Sequence, residues 1–157
     1  MKPSVYLETT IPSYYTARAS RDVVIAGHQA TTRDWWENRL ARFRAFISQI
    51  VIDEASGGNA QAARDRLLAI KPFPLLDIRD DAIELARALI ESGPLPAKAA
   101  RDALHIAIAA VHGVDFLVTW NCTHIANAEM TAKITEICAD HGLVCPVICT
   151  PEELMGT

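Results

Sequence analysis

Four side chains with oxygen donors occupy positions of this sequence where chemistry is expected. Glu8 and Asn121 each follow a short apolar run, Glu54 lies in a short predicted helix, and Asp102 lies near the start of an apolar helix. Carboxylates that meet in a partly buried pocket repel each other, and burying them without a partner is costly. A hard divalent cation removes that cost, because Mg²⁺ or Mn²⁺ prefers carboxylate, carbonyl, water and phosphate oxygens. These residue types therefore predict a magnesium or manganese site that could hold a phosphodiester and activate water.

Such donors can meet only if the fold brings the ends of several elements together. Short apolar runs alternate with helical segments along the chain, which indicates a parallel sheet with helices on both faces. The carboxyl ends of parallel strands share one edge of a sheet, where α/β proteins bind ligands. Strands are predicted at residues 4–7, 44–48, 73–76, 116–118 and 145–149. Helices are predicted at residues 21–40 (as one helix or two), 49–56, 60–70, 96–112 and 124–141 (capped by Thr123). A further helix is predicted to be capped by Asp80 or Asp81 and to end at Ser92-Gly93-Pro94.

Length and composition limit the class of protein. The chain has 157 residues, is half hydrophobic and has a net charge of −4, which predicts a single globular domain over residues 1–157. That charge argues against broad, sequence-independent binding to nucleic acid, although a local basic rim around an acidic pocket remains open. Neither a membrane-spanning run nor a signal-peptide pattern is present, so a cytoplasmic location is expected.

The four cysteines, Cys122, Cys138, Cys145 and Cys149, include no CxxC pair. This spacing favours free thiols in a reducing compartment over a zinc site, and it leaves a Cys145–Cys149 disulfide open. The segment 33–40 carries two tryptophans within the most basic region of the chain. Those tryptophans are either part of the core or, as the alternative, part of a partner surface.

Four segments resemble PIN-domain proteins of the VapC-like kind, which are the toxins of type II toxin–antitoxin pairs. The resemblance covers nearly the whole chain, and the third segment is the most specific. The segments are Val5-Tyr6-Leu7-Glu8-Thr9-Thr10, Ile52-Asp53-Glu54, Arg101-Asp102-Ala103-Leu104-His105-Ile106-Ala107 and Leu117-Val118-Thr119-Trp120-Asn121; the closing Thr150-Pro151-Glu152-Glu153-Leu154 is also similar. The resemblance implies a three-layer α/β/α fold and a metal-dependent endoribonuclease that leaves 5′-phosphate and 3′-hydroxyl ends.

The resemblance also assigns roles to residues. It places the four acids of the family on Glu8, Glu54, Asp102 and Asn121, which are therefore the predicted catalytic residues and ligands of Mg²⁺ or Mn²⁺. Two departures are that Glu8 stands where the family usually has the shorter aspartate, and that neutral Asn121 stands where it usually has an acid. The residues expected to contact substrate or support the ligands are Thr9, Lys98, Arg101, Thr119 and His124. The implied partners are an RNA substrate, a small antitoxin protein and a second copy of the chain.

Two other functions remain open at this point. A PIN module that binds RNA or a partner protein without cleaving it is the first alternative, since Glu8 and Asn121 depart from the family pattern. A cysteine-dependent hydrolase built on Cys122 is the second, but the sequence shows no base and orienting group for that thiol. His105, one helical turn after Asp102, is expected to be a satisfied core histidine or a support for the ligands rather than a ligand itself.

Overall fold

A computed structural model describes all residues 1–157 and has a five-stranded, all-parallel sheet. The strands are β1 (Ser4–Leu7), β2 (Arg44–Ser48), β3 (Leu75–Leu76), β4 (Phe116–Val118) and β5 (Val147–Cys149), in the spatial order β3-β2-β1-β4-β5. This arrangement confirms the predicted α/β class and the short-stranded parallel sheet. β3 and β5 are shorter than predicted, because only their last two or three residues pair with a neighbouring strand.

Seven α-helices flank the sheet. They are α1 (Thr10–Thr16), α2 (Val23–Asn38), α3 (Gln49–Ala55), α4 (Ala60–Ile70), α5 (Asp80–Glu91), α6 (Ala100–Val111) and α7 (Ala128–Asp140). Three short 3₁₀ turns occupy Leu40–Arg42, Ala97–Ala99 and Pro151–Leu154. Helix α1 packs against α2 and α4, while α5 packs against α6 and α7, so two groups of helices enclose the sheet. The architecture is the three-layer α/β/α arrangement that was expected.

The most buried elements are β1 and α6. All four residues of β1 are buried, and α6 is buried from His105 to Ala110. A helix that is apolar on every side is stable only inside a protein, which explains why this alanine- and isoleucine-rich segment lies in the core. Asp102 lies in the first turn of α6, before this fully buried stretch, and is only partly buried.

Sheet topology decides where a site can form. From central β1 the chain builds outward to β2 and β3 on one side, and then returns to add β4 and β5 on the other. In an open parallel sheet, ligands bind beyond the carboxyl ends of the strands at the point where the order reverses. In this fold that point lies between β1 and β4, directly beyond Leu7 and Val118.

The predicted elements lack α1, which begins two residues after Glu8 and contains Pro12. Proline lacks a backbone N–H, but the first four N–H groups of a helix have no partner within it. Pro12 is the third residue of α1, so the helix loses no hydrogen bond there. Proline at this position is therefore compatible with a helix, although it ends the preceding strand.

The starts predicted for α6 and α7 and the cap predicted for α5 are wrong. Helix α6 begins at Ala100 rather than at residue 96, because Ala97–Ala99 form a 3₁₀ turn. The helix predicted from His124 begins instead at Ala128, where the side chain of Asn127, not Thr123, accepts the N-terminal hydrogen bond from Glu129 N. Asp80 and Asp81 lie inside the first turn of α5 after Arg79, so neither is its cap. Acidic residues are also favoured within the first turn of a helix, which makes a cap and a first-turn residue hard to tell apart in a sequence.

The two tryptophans of the segment 33–40 differ in burial. Trp35 is fully buried and Leu40 is also in the core, whereas Trp36 is partly buried and stacks on Tyr15 at a ring separation of 4.3 Å. The core alternative therefore applies to Trp35. No helix of the protein combines the length and apolar character needed to cross a bilayer.

Candidate metal centre

Glu8 lies at the carboxyl end of β1, at the point where the strand order reverses. Its backbone N–H donates to the carbonyl of Val118 in β4 (3.1 Å), so the residue continues the pairing of the two strands. The side chain is only 4 % exposed. Its Oε1 accepts three hydrogen bonds, from Thr10 N (3.1 Å), Thr10 Oγ1 (2.5 Å) and Thr119 Oγ1 (2.7 Å). These donors satisfy a buried carboxylate oxygen that would otherwise be costly.

The two threonines also connect the loops that follow β1 and β4. Thr10 Oγ1 accepts from Trp120 N (2.8 Å), and Thr119 Oγ1 accepts from Asn121 N (2.9 Å). Each hydroxyl therefore receives a backbone hydrogen bond from one loop and donates its own proton to Glu8. Thr119 was a predicted site residue, whereas Thr10 was not. The sequence did carry a signal for Thr10, because its hydroxyl lies two positions after an acid at the end of a strand.

Glu54 comes from the opposite side of β1, on α3. Its Oε1 accepts from Thr9 Oγ1 (2.7 Å) and lies 2.6 Å from His105 Nε2. The preceding residue, Asp53, is exposed and bonds to Gln49 in its own helix (2.9 Å). Adjacent residues on a helix point about 100° apart, so only one of these two acids can face inward.

The surroundings of Glu54 favour its charged form. Burial raises the pKa of Glu54, but hydrogen bonds from His105 and Thr9, together with the positive charge of Arg101, outweigh burial and hold the pKa below 4.5. A carboxylate that remains ionised accepts hydrogen bonds and binds cations, but it has no proton to donate. Glu54 is therefore suited to be a ligand rather than a proton donor.

The lowered pKa of Glu54 predicts acid-sensitive stability. A group whose pKa is lower in the folded than in the unfolded state stabilises the fold above its unfolded value, and that contribution is lost as the pH falls through the folded value. We expect thermal melts of the metal-free protein to show lower stability as the pH drops below 4.5. Glu54→Gln should weaken that part of the pH dependence, and an unchanged acid limb in this variant would contradict the assignment.

Both glutamates leave one oxygen available. All recorded hydrogen bonds to Glu8 and to Glu54 go to Oε1, and none goes to Oε2. The fully buried side-chain polar atoms without a partner are Trp35 Nε1 and Asp81 Oδ1 alone, so each Oε2 of the two glutamates keeps some contact with solvent. Two carboxylates are thus each fixed through one oxygen and open through the other.

A hard cation fits this arrangement. Ligand atoms of Glu8, Glu54 and His105 all lie within 4.8 Å of one another. Both nitrogens of His105 are already engaged, with Tyr6 and with Glu54, so this side chain supports the site more readily than it ligates. The free donors are carboxylate oxygens, which suit Mg²⁺ or Mn²⁺.

Asp102 lies outside this close group. Its Oδ2 is 3.0 Å from His124 Nδ1, and both side chains are 20 % exposed. No hydrogen bond to Oδ1 is recorded, so Asp102 also keeps one oxygen free. The role of Asp102 as a metal ligand remains a prediction, and the structure adds His124 as its direct partner.

Asn121 uses its side chain to shape the loop after β4. Its Oδ1 accepts from Thr123 N (3.2 Å) and His124 N (3.0 Å), and its carbonyl accepts from Ile125 N and Ala126 N. This Asx-type turn competes with helix formation, which explains why α7 starts later than predicted. The oxygen that was predicted to bind metal is committed to the backbone in this conformation.

The remaining predicted residues lie around the two glutamates. Thr9 donates to Glu54, and Arg101 is exposed but close enough for its charge to lower the pKa of that carboxyl. Lys98 is exposed, lies in the turn before α6 and makes no hydrogen bond or ion pair. Cys122 is exposed, and all four cysteines are free thiols as predicted, with no Cys145–Cys149 bridge.

The sequence of the chain matches no protein-family model. No curated protein shows significant similarity to it either.

Proposed function

We propose that this protein is a metal-dependent endoribonuclease of the PIN-domain type, acting as the toxin of a toxin–antitoxin pair. The observation that carries this proposal is the pair of glutamates at the reversal point of the sheet. Glu8 and Glu54 come from separate elements, each is fixed through Oε1, and each offers Oε2 to a cation. The resemblance of the surrounding segments to PIN domains supports the choice of RNA as substrate.

Each nearby side chain has a role in this function. Glu8 and Glu54 would hold Mg²⁺ or Mn²⁺, and Asp102 would add a third carboxylate. A bound ion of this kind supplies an acidified water and stabilises charge on a phosphate. Arg101 and Lys98 would attract the phosphodiester to a site whose own charge is negative. His124, held by Asp102, would contact a phosphate oxygen.

The non-cleaving alternative has one observation in its favour. Asn121 brings no charge to the site, and its side-chain oxygen is bound to the backbone. Since hard cations are held largely by ligand charge, a centre with one acid fewer binds them more weakly. A PIN module of this kind would bind RNA or a partner protein without cutting it.

A manganese titration followed by thermal unfolding tests the proposal. A ligand present at a hundred times its Kd stabilises the folded state by about 2.7 kcal/mol. For a domain of this size, that corresponds to a rise in Tm of about 5–10 °C. We expect this rise for the wild-type protein and its loss in Glu8→Gln, whose Oε1 can still accept the three hydrogen bonds.

An RNA-cleavage assay completes this test. Cleavage should require Mn²⁺ or Mg²⁺, stop on addition of EDTA and survive alkylation of the exposed Cys122. Metal binding without cleavage would favour the non-cleaving module. If Mn²⁺ does not raise Tm, the proposed metal centre is wrong. Cleavage that resists EDTA but fails after alkylation would favour the cysteine-dependent hydrolase.

A further inference from the structure

A continuous line of buried polar groups leads from the core to Glu54. Ser48 Oγ lies 2.7 Å from the Tyr6 hydroxyl, which lies 2.6 Å from His105 Nδ1, while His105 Nε2 lies 2.6 Å from Glu54 Oε1. Ser48, Tyr6 and His105 are each 0 % exposed. They come from the end of β2, the middle of β1 and the buried part of α6, so three central elements contribute to one line.

The direction of these hydrogen bonds follows from the chemistry of the groups. A carboxylate oxygen accepts hydrogen bonds, so His105 Nε2, which lies 2.6 Å from Glu54 Oε1, is the donor of that bond. With Nε2 as donor, Nδ1 accepts from Tyr6, and the Tyr6 oxygen accepts from Ser48. Every proton in the line then has an acceptor. The reverse direction would leave the Ser48 proton without one, because Ser48 Oγ has no other recorded partner.

Burial keeps the Tyr6 hydroxyl protonated, since it raises the pKa of Tyr6 well above the ordinary value of 10.0. Tyr6 therefore remains a hydrogen-bond donor. Its neighbours along β1 are Val5 and Leu7, which are apolar and fully buried. Packing alone would be served equally well by a phenylalanine at this position, and a polar group in such a place is stable only when it is hydrogen-bonded.

This line of hydrogen bonds ends at one carboxylate, that of Glu54, and restrains its orientation. The last torsion of a glutamate side chain is broad, so a free Glu54 would present either oxygen in many directions. Donors on two sides, Thr9 and His105, hold Oε1 in place, which leaves Oε2 as the open oxygen. Groups that orient a ligand in this way affect metal affinity by about 10- to 100-fold when they are removed.

We infer that His105 and Tyr6 are positioning residues, which hold the Glu54 carboxylate in the orientation that binds a divalent cation. The inference rests on the proposed function, because it assigns these residues to the same centre. Neither side chain touches the cation or the substrate. His105 acts through Glu54, and Tyr6 acts through His105.

Mn²⁺ binding to metal-free protein, measured by isothermal titration calorimetry, tests the inference without relying on activity. The variants are Tyr6→Phe, His105→Leu and His105→Gln, with His112→Gln as a matched control. His112 lies just after the same helix and contacts the carbonyl of Asp77, far along α6 from the site. We expect His105→Leu to raise the Kd by about 10- to 100-fold, Tyr6→Phe to raise it severalfold, and the control to leave it unchanged.

The comparison of leucine with glutamine separates positioning from packing. The amide of glutamine can donate at about the place of Nε2, so His105→Gln should bind Mn²⁺ more tightly than His105→Leu even if it melts at a lower temperature. If His105 acts only through packing, His105→Leu should bind Mn²⁺ at least as tightly as His105→Gln and should melt at a temperature at least as high. Equal Mn²⁺ affinity of glutamine and leucine variants would therefore overturn the inference.

The remaining outcomes are also decisive. If wild-type protein binds no Mn²⁺, both the proposed function and this inference fail. If wild type binds and Tyr6→Phe binds equally well, only the inference fails, and the metal centre stands. Should His105→Leu not fold, Tyr6→Phe decides the matter, because it removes a single oxygen and keeps the ring.

Discussion

Replacing Glu54 by glutamine is expected to reduce metal-dependent RNA cleavage by about a hundredfold or more, which corresponds to about 2.7 kcal/mol of lost transition-state stabilisation. The reason is charge. Glutamine keeps an oxygen that can accept from Thr9 and His105, but its neutral amide replaces the open Oε2. The fold should therefore persist while the cation loses one of its two closest anionic ligands. Cleavage of a fluorescent RNA at saturating Mn²⁺ measures the effect.

The chain supplies a closely matched control for this experiment in the neighbouring residue. Asp53→Asn removes the same charge one position away, on an exposed side chain that bonds only to Gln49. This variant should cleave RNA at the wild-type rate and bind Mn²⁺ with the wild-type affinity. Equal losses in both variants would show that overall charge, rather than the inward position of Glu54, controls activity. Full activity of Glu54→Gln would remove Glu54 from the metal centre.

The limits of strands and helices could be predicted from the sequence wherever a signal was strong and local. β1, β2, β4 and α4 have the predicted limits, because each is a compact apolar run or begins at a clear cap such as Asn59. The missed helix α1 and the late start of α7 have a common cause. In both places a local feature, Pro12 or Thr123, admits two structures, and contacts made elsewhere select between them.

Predictions about the site were limited in a different way. The order of strands and polar residues shows that Glu8 and Thr119 come to one edge of the sheet. It does not show which hydroxyl reaches which oxygen. Hydrogen bonds such as Tyr6 to His105 join residues 99 positions apart. They depend on how α6 is rotated above the sheet, and the periodicity of the helix alone does not determine that rotation.

The same limitation applies to Asp102 and Asn121. Both were predicted to join the glutamates as ligands, which remains a prediction. Their side chains bond to His124 and to the backbone of the following loop, respectively. From sequence, His124 was expected to contact substrate or to support the ligands, but no partner for its side chain was predicted. Its pairing with Asp102 depends on the turn that Asn121 builds, so three residues act together where the sequence suggested independent donors.

Replacing Asp102 by asparagine is the second change with a large expected effect, a loss of cleavage of about a hundredfold with little change in Tm. The asparagine oxygen can still accept from His124 Nδ1, but it brings no charge to attract a cation or to hold an imidazolium. A partly exposed pair of this kind contributes at most about 1 kcal/mol to stability. Retained cleavage would remove Asp102 from the site.

Asp115 provides the opposite case, because it lies at the amino end of β4, away from the candidate centre. Its carboxylate accepts from Ser4 N (2.8 Å) and Ser4 Oγ (3.0 Å), and these hydrogen bonds lower its pKa and tie β1 to β4. Asp115→Asn should therefore lower Tm and leave cleavage unchanged.

A third variant, His124→Gln, separates the two roles open to Asp102. If Asp102 acts by orienting His124, His124→Gln should lose as much activity as Asp102→Asn; if Asp102 acts through its own charge on the cation, His124→Gln should retain most of the activity and bind Mn²⁺ normally.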